Sequence, residues 1–160
     1  MTTQTELKVL TILRNLPLTA DMKTEHLKKM AAAAREVEFS NQEIIYDEGH
    51  LGQGIYIIQS GQVAIEMKTL TNDYIIIHLL GAGELFGWSA LFPAERKNAR
   101  ARAMQPSRAI LLDTARLQAA WQQDQAFENA LIQRTTRVML DRIRNARRQL
   151  ADSLASPDKT

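Results

Sequence analysis

The sequence predicts an α+β protein in which N-terminal helices precede a compact run of short β-strands, and a long helix follows the strands. Three observations support this order. Apolar residues recur at helical spacing up to Pro17, short segments rich in strand-forming residues begin near Arg35, and helical spacing returns after Asp113. Roughly seven or eight strands in about 80 residues are typical of a sandwich or a roll.

The N-terminal helical region covers residues 5–34. Its first helix is ended by Pro17, and it carries a stripe of leucines three residues apart: Leu7, Leu10, Leu13 and Leu16. Thr19 or Asp21 is the expected N-cap of the second helix. The predicted buried face of that second helix consists of Leu27, Met30, Ala31 and Ala34.

The strand region covers residues 35–113. The segments EVEF and EIIY are short strands, DEGH is a turn, and the run GIYIIQSGQVAIEM forms two strands joined at Ser60-Gly61. The continuous apolar segment YIIIHLL is predicted to be buried on both faces. ARARAM and RAILLD complete the region, with their turn at Gln105-Pro106-Ser107. Alternating charge at Arg100 and Arg102 has two interpretations, a strand edge that faces solvent or cations for a bound anion.

The C-terminal helical region covers residues 114–154, and residues 155–160 are expected to form a disordered tail. Asp113 or Thr114 can cap a short first helix, and a long helix is predicted from Phe127. An apolar seam at heptad-like spacing follows in this long helix: Ile132, Met139, Ile143, Ala146 and Leu150. The seam predicts a homodimer through residues 127–150. The alternative is that the same stripe packs on the roll.

Bulk properties exclude several classes of protein. A chain of 160 residues predicts one domain, residues 1–154, and the absence of cysteine excludes disulfides and thiolate metal sites. The chain shows neither a secretory signal nor an apolar run long enough to span a membrane, so a cytoplasmic location is expected. The net charge of +2 does not indicate nucleic acid.

No catalytic motif or metal-binding pattern emerges, so an enzyme is not expected. Three histidines occur without metal spacing, and His78 is predicted to be a core residue, with axial ligation of haem as the alternative.

The segment Gly83 to Phe92, GELFGWSALF, carries the chemistry that points to a ligand. Its glycines allow tight turns and close approach of the backbone to a bound group. Successive amides at the start of a short helix in WSALF can converge on a phosphate. The basic run RKNARAR begins a few residues later and supplies cations for an anion.

These motifs resemble those of the cyclic nucleotide-binding domain of the catabolite-activator family. The resemblance covers residues 10–150 and includes YDEGHLGQGIYIIQSGQVAIEM as well as the glycine loop 81–99. The family pattern is Gly-x-x-Phe-Gly-Glu-x-x-Leu, followed about ten residues later by Arg-Ser/Thr-Ala. The residues that match its first part are Gly83, Phe86, Gly87 and Leu91. The resemblance implies an eight-stranded β-roll of the double-stranded jelly-roll type.

The resemblance also implies a set of site residues and a ligand, cAMP or cGMP. The implied ligand-binding residues are Gly83, Phe86, Gly87, Trp88, Ser89, Ala90, Lys97, Asn98 and Ala99. In this register Lys97 and the amides of residues 87–90 hold the phosphate. Arg142 or Asn145 of the C-terminal helix can reach the ligand, and ligand entry is expected to reshape the loop 83–98 and move that helix.

Three positions depart from the family pattern. Trp88 stands where the family has its ribose-binding Glu, Lys97 replaces the phosphate-binding Arg, and Asn98 replaces Ser or Thr. Lysine keeps the charge but lacks the bidentate fork, and tryptophan cannot accept a hydrogen bond from a hydroxyl. Trp88 either stacks on a flat ligand in an altered pocket or fills the pocket itself.

Two functions are therefore expected from the sequence. The first is a stand-alone regulatory domain whose effector, bound in the roll, moves the C-terminal helix. The second is a ligand-free interaction module whose nucleotide pocket is blocked by Trp88. The chain ends at Thr160 without the helix-turn-helix domain of the family's transcription factors, so no DNA-reading helix is expected. Nucleic-acid binding by an arginine-rich helix is a third alternative, carried by Arg134, Arg137, Arg142, Arg144, Arg147 and Arg148.

Overall fold

The computed structural model describes residues 3–92 and 95–155. Its elements follow the predicted order, so the predicted fold class is confirmed. The helices are α1 Gln4–Asn15, α2 Thr24–Ala32, α3 Thr114–Trp121 and α4 Gln125–Ala155. The strands are β1 Ala34–Phe39, β2 Ile44–Tyr46, β3 Gly54–Ser60, β4 Val63–Lys68, β5 Tyr74–Leu80, β6 Leu85–Phe86, β7 Arg100–Ala103 and β8 Ser107–Asp113. Of the predicted tail 155–160, Ala155 is helical and ends α4, and residues 156–160 lie outside the described residues.

Two antiparallel sheets form the roll. The first has the strand order β1-β8-β3-β6 and the second the order β2-β7-β4-β5. Side chains from both sheets, among them Ile58, Ile65 and Phe86, pack in one buried cluster between the sheets. A second buried cluster joins the other face of the first sheet to all four helices, through residues such as Ile55 and Phe127. The four helices therefore pack mainly against the first sheet, and the later part of α4 also faces the second sheet.

The N-terminal helices differ in detail from the prediction. A capping box between Thr3 and Glu6 starts α1, and its buried residues are Val9 and Leu13, whereas Leu7 is 55% exposed. The contact stripe follows i, i+4 spacing, so a stripe drawn at every third residue drifts off the buried face. The predicted caps of α2 were also wrong, because Lys23 occupies that position and the Thr19 hydroxyl donates to the Leu13 carbonyl.

The prediction that β5 is buried on both faces is wrong. Ile75, Ile76 and Leu79 are 54%, 48% and 51% exposed. β5 pairs with β4 alone and lies at the edge of the second sheet, outside the two buried clusters for most of its length. The apolar run therefore marks a strand, but only part of it is core.

The prediction of a solvent-facing edge at Arg100 and Arg102 is also wrong. β7 lies between β2 and β4, in the interior of the second sheet. Both arginines pair with the carboxylate of Glu66, which is 2% exposed, and Arg102 Nη2 lies 2.9 Å from Glu66 Oε2. A buried carboxylate needs such partners, because an unpaired charge is costly to bury.

The C-terminal helices begin close to the predicted positions. Asp113 caps α3 by accepting a hydrogen bond from the Arg116 amide at 3.0 Å. α4 begins at Gln125, two residues earlier than predicted, and the Asp124 carboxylate accepts from the Phe127 amide at 3.1 Å. The first turns of α4 are anchored in the core, whereas residues 144–155 are exposed.

Candidate ligand-binding site

A cavity of about 260 Å³ lies between the second sheet, the glycine loop and α4. The sheet contributes apolar side chains from β4 and β5, among them Ile65 and Ile77. The loop contributes Gly87 and the start of the 3₁₀ turn Trp88–Leu91. Small-ligand pockets in proteins typically measure about 300–1,000 Å³, so this volume suits a small ligand.

Position 87 requires glycine, both because of its backbone conformation and because of the atoms around it. It has a φ of +84°, in the left-handed region that side-chain-bearing residues rarely adopt. A Cβ at this position would lie 3.1 Å from the Gly54 carbonyl oxygen and 3.2 Å from the Tyr56 ring. The adjacent Phe86 is fully buried and stacks on Tyr56, with ring centroids 4.8 Å apart. These contacts fix the loop at the cavity wall.

Lys97 is a buried cation in the cavity wall. Only 5% of the residue's surface is exposed, and Nζ donates a hydrogen bond to the Gly87 carbonyl at 3.0 Å. Nζ also lies 4.5 Å from the centroid of the Tyr46 ring. Burial lowers the pKa of Lys97 from 10.5 to about 8, because desolvation disfavours the charged amine. No carboxylate pairs with Lys97 among the described residues.

Arg142 brings a second cation from α4. Its guanidinium carbon lies 4.6 Å from the centroid of the Trp88 ring, and Nη2 donates to the Leu85 carbonyl. Burial lowers the pKa of Arg142, while Glu84 and Tyr46 act in the opposite direction. Nη1 is buried, and the described part of the chain offers it no acceptor. Arg142 therefore connects α4 to the loop and keeps one N–H group unsatisfied.

Trp88 forms part of the cavity wall. It is half-buried and packs against the cluster that joins the helices to the first sheet, and its ring makes a cation–π contact with the Arg142 guanidinium. The cavity of about 260 Å³ remains beside it. A flat ligand could contact the indole from this space.

Seven of the nine implied ligand-binding residues line the cavity: Phe86, Gly87, Trp88, Ser89, Lys97, Asn98 and Ala99. Gly83 and Ala90 do not line it. Gly83 shapes the preceding turn with a φ of +86° and donates to the Ile58 carbonyl at 2.8 Å. The Ala90 amide donates to the Gly87 carbonyl at 3.2 Å, so it is engaged within the turn.

α4 contributes four residues to the cavity: Met139, Arg142, Ile143 and Ala146. Three of them belong to the predicted seam, which therefore lies partly on the roll. Asn145 is exposed and does not line the cavity, because its position is about 100° around the helix from Ala146. The prediction that Asn145 reaches the site is not supported by its position, and Arg142 is the residue that does so.

Two polar wall residues were missed from the sequence. Tyr46 ends β2 beside the cavity, and burial raises the pKa of its hydroxyl. His78 lines the cavity and is not a core residue as predicted. Desolvation lowers the pKa of His78, and the charge of Arg142 lowers it further. No local signal in the sequence marks either residue, although His78 lies next to a β-bulge in β5.

Within residues 3–92 and 95–155, none of the helices combines the length and the apolar character needed to cross a membrane. The same residues contain no group of three or more potential ligands arranged to hold a metal ion.

Comparison with known proteins shows which family the chain resembles. The family model described as cyclic nucleotide-binding domain matches residues 36–124. A CRP-like cAMP-activated global transcriptional regulator of Mycobacterium tuberculosis is 26% identical over 116 residues, which cover 72% of this chain and 50% of that protein. A cAMP/cGMP-dependent phosphodiesterase B of Dictyostelium discoideum is 32% identical over 73 residues, covering 46% of this chain and 6% of that protein.

The chain thus spans half or less of the length of these two curated relatives. The fold also matches the crystal structure of a cyclic nucleotide-binding domain from Methylobacillus flagellatus, with a TM-score of 0.78 and 17% identity, over 92% of this chain and 83% of that one. The family match covers more than half of the 160 residues, and it includes the loop and the strands that build the cavity. The chain therefore belongs to the cyclic nucleotide-binding domain family.

Proposed function

We propose that this protein is a regulatory domain that binds a small anionic effector in the cavity and transmits its occupancy to α4. The observation that carries the proposal is the composition of the cavity wall. The sheet, the glycine loop and α4 all contribute side chains to one cavity. A ligand in this space contacts the helix as well as the roll, so occupancy and helix position are linked.

The two cations support an anionic ligand. Lys97 and Arg142 both line the cavity, and no carboxylate lines it with them among the described residues. The charge of Glu84 acts on Arg142 from outside the wall, whereas burial alone acts on the pKa of Lys97. Buried cations are costly unless a counter-charge accompanies them. A phosphate or another oxyanion would supply that charge, and the amides at the start of the 3₁₀ turn could add hydrogen bonds. Cyclic nucleotides, cAMP or cGMP, are the first ligands to test because of the family.

Arg142 offers a route for the signal. Its Nη2 is bonded to the Leu85 carbonyl, while Nη1 has no acceptor among the described residues. An anion within reach would compete with this carbonyl for the guanidinium. The ligand would then reset the contact between α4 and the loop, and the helix would shift or become more firmly held.

A second function, helix-mediated association, rests on a different observation. Leu140, Leu150 and Leu154 of α4 are 46%, 61% and 74% exposed. Exposed leucines along one helix favour pairing with a partner, and a second copy through residues 127–150 is the simplest partner. We propose a homodimer of this kind, which is compatible with either a working or a blocked pocket.

We also propose that the domain binds its ligand without catalysis. Among the described residues, the cavity wall contains no carboxylate to hold a metal or to orient His78 or Lys97 as a general base.

A thermal melt with cAMP and with cGMP, each at millimolar concentration, tests the proposal. A ligand present at a hundred times its Kd stabilises by about 2.7 kcal/mol. For a chain of this size that corresponds to a rise in Tm of roughly 5–10 °C. The matched control is the Lys97→Met variant, which removes the cation and should lose the shift. Shifts of equal size in both proteins would place the ligand elsewhere.

A further inference from the structure

The charged side chains in the wall of the cavity are all cations. Among the described lining residues there is no aspartate or glutamate, whereas there are two cations, Lys97 and Arg142. The neutral polar side chains in the wall are Tyr46, His78, Ser89 and Asn98. The wall is therefore rich in donors and cations, and its acceptors are uncharged. Charge-assisted hydrogen bonds are roughly twice as strong as neutral ones, so such a wall favours an oxyanion over a hydroxyl group.

The two cations are anchored close to each other. Lys97 Nζ is bonded to the carbonyl of Gly87, and Arg142 Nη2 is bonded to the carbonyl of Leu85. These carbonyls belong to residues two apart in one short segment, and both cations neighbour Tyr46: Lys97 Nζ lies 4.5 Å from the centroid of its ring, and the charge of Arg142 acts on its hydroxyl. One phosphate or carboxylate placed between the cations can contact both. Arg142 Nη1, buried and without an acceptor in the described chain, is the donor that such a group would satisfy.

The rest of the wall is apolar. Side chains of the second sheet and of α4 form this part, including Ile65, Met67, Ile77, Met139 and Ile143. The indole of Trp88 adds a flat surface next to the cations. A ligand body without polar groups loses nothing by burial here, whereas a buried hydroxyl that finds no good acceptor is penalised.

Building on the proposed function, we propose that the preferred ligand is a small amphipathic oxyanion. Its phosphate or carboxylate is bound between Lys97 and Arg142, and its flat or branched apolar body packs against Trp88 and the isoleucines. A ribose 2′-hydroxyl contributes no affinity in this cavity. The ligand class thus differs from a cyclic nucleotide held through its sugar.

Isothermal titration calorimetry at pH 7 with four probes tests this selectivity. The probes are inorganic phosphate, phenyl phosphate, cAMP and 2′-deoxy-cAMP. Phenyl phosphate is expected to bind at least tenfold more tightly than inorganic phosphate, and the two cyclic nucleotides are expected to agree within threefold. An affinity for cAMP at least tenfold above that for the 2′-deoxy analogue would overturn the inference and leave the proposed function standing. If none of the four binds, both proposals fail.

Two variants locate the probe. Arg142→Met should weaken phenyl phosphate at least tenfold, whereas Arg148→Met, an exposed arginine on the same helix, should leave it unchanged. Trp88→Glu introduces a carboxylate, so it should weaken phenyl phosphate and create a preference of about tenfold for cAMP over its 2′-deoxy analogue. A melt of each variant establishes that it is folded. Equal affinities for phenyl phosphate in wild type and Arg142→Met would contradict the assignment.

Discussion

Replacing Lys97 by methionine should stabilise the ligand-free protein and remove its affinity for anions. The fall of the Lys97 pKa from 10.5 to about 8 means that the charged amine costs the folded state about 3 kcal/mol near pH 7. Methionine removes this cost. It also removes the hydrogen bond to the Gly87 carbonyl and the contact with the Tyr46 ring, which together offset roughly 1–2 kcal/mol.

The net gain expected at pH 7 is therefore about 1–2 kcal/mol, or a rise in Tm of roughly 2–8 °C. Because the pKa of Lys97 is lower in the folded state, the penalty is fully present below pH 8 and is relieved as the pH rises toward 10.5. Between pH 7 and pH 10 the wild type should thus gain about 2 kcal/mol relative to the variant.

Urea unfolding of both proteins at pH 7 and pH 10 measures this difference, and titration with phenyl phosphate measures the loss of binding. The control is Lys68→Met, an exposed lysine at the end of β4, which should leave the pH dependence of unfolding unchanged. A stability difference that is the same at both pH values would refute the reasoning that Lys97 is a buried, strained cation. So would a Lys97→Met variant that is less stable than wild type by more than 2 kcal/mol at pH 7.

The remaining predictions concern binding, the loop, the second sheet and α4. Anion affinity should fall by up to tenfold per pH unit above pH 8, as Lys97 loses its proton, which calorimetry at pH 7, 8 and 9 would measure. Gly87→Ala should lower the free energy of unfolding by about 1–3 kcal/mol more than the control Gly49→Ala. Both glycines have a positive φ, but a Cβ at Gly49 meets nothing within 4 Å, whereas one at Gly87 is crowded. Equal losses in urea melts would show that crowding at Gly87 is unimportant. Glu66→Gln should cost about 3–5 kcal/mol by leaving two arginines without their carboxylate, and a loss under 1 kcal/mol would contradict a buried ion pair. Leu150→Glu should shift sedimentation toward the monomer, and an unchanged sedimentation coefficient would place any dimer contact elsewhere.

Much of the fold follows from local sequence features. Turn residues such as Gly61, and the change from helical to alternating spacing after Arg35, locate the strands because these signals act within a few residues. The exposure of β5 does not follow, because an apolar strand looks the same whether or not a helix covers it. The pairing of Glu66 with two arginines is equally invisible, since it depends on which strands become neighbours.

The sequence also predicts part of the cavity wall, but not all of it. The glycine loop and Lys97 follow from the motif, and the structure places both at the cavity. Tyr46 and His78 could not be assigned, because each reaches the wall only through the packing of its strand against the loop and α4. Asn145 was proposed together with Arg142 because both lie on the long helix. The helix rotation that separates them is set by the anchoring of Phe127 and Leu131 in the core.

Hydrogen–deuterium exchange tests the central claim most directly. It is measured on the protein alone, with phenyl phosphate and with cAMP. The claim is that one ligand contacts the glycine loop and α4 together. It predicts slower exchange in residues 85–91 and in residues 139–146 at the same ligand concentration, with both effects lost in Lys97→Met. Protection of the loop alone would contradict the coupling to α4. No protection in either segment, with ligand bound elsewhere or not at all, would contradict the cavity as the site.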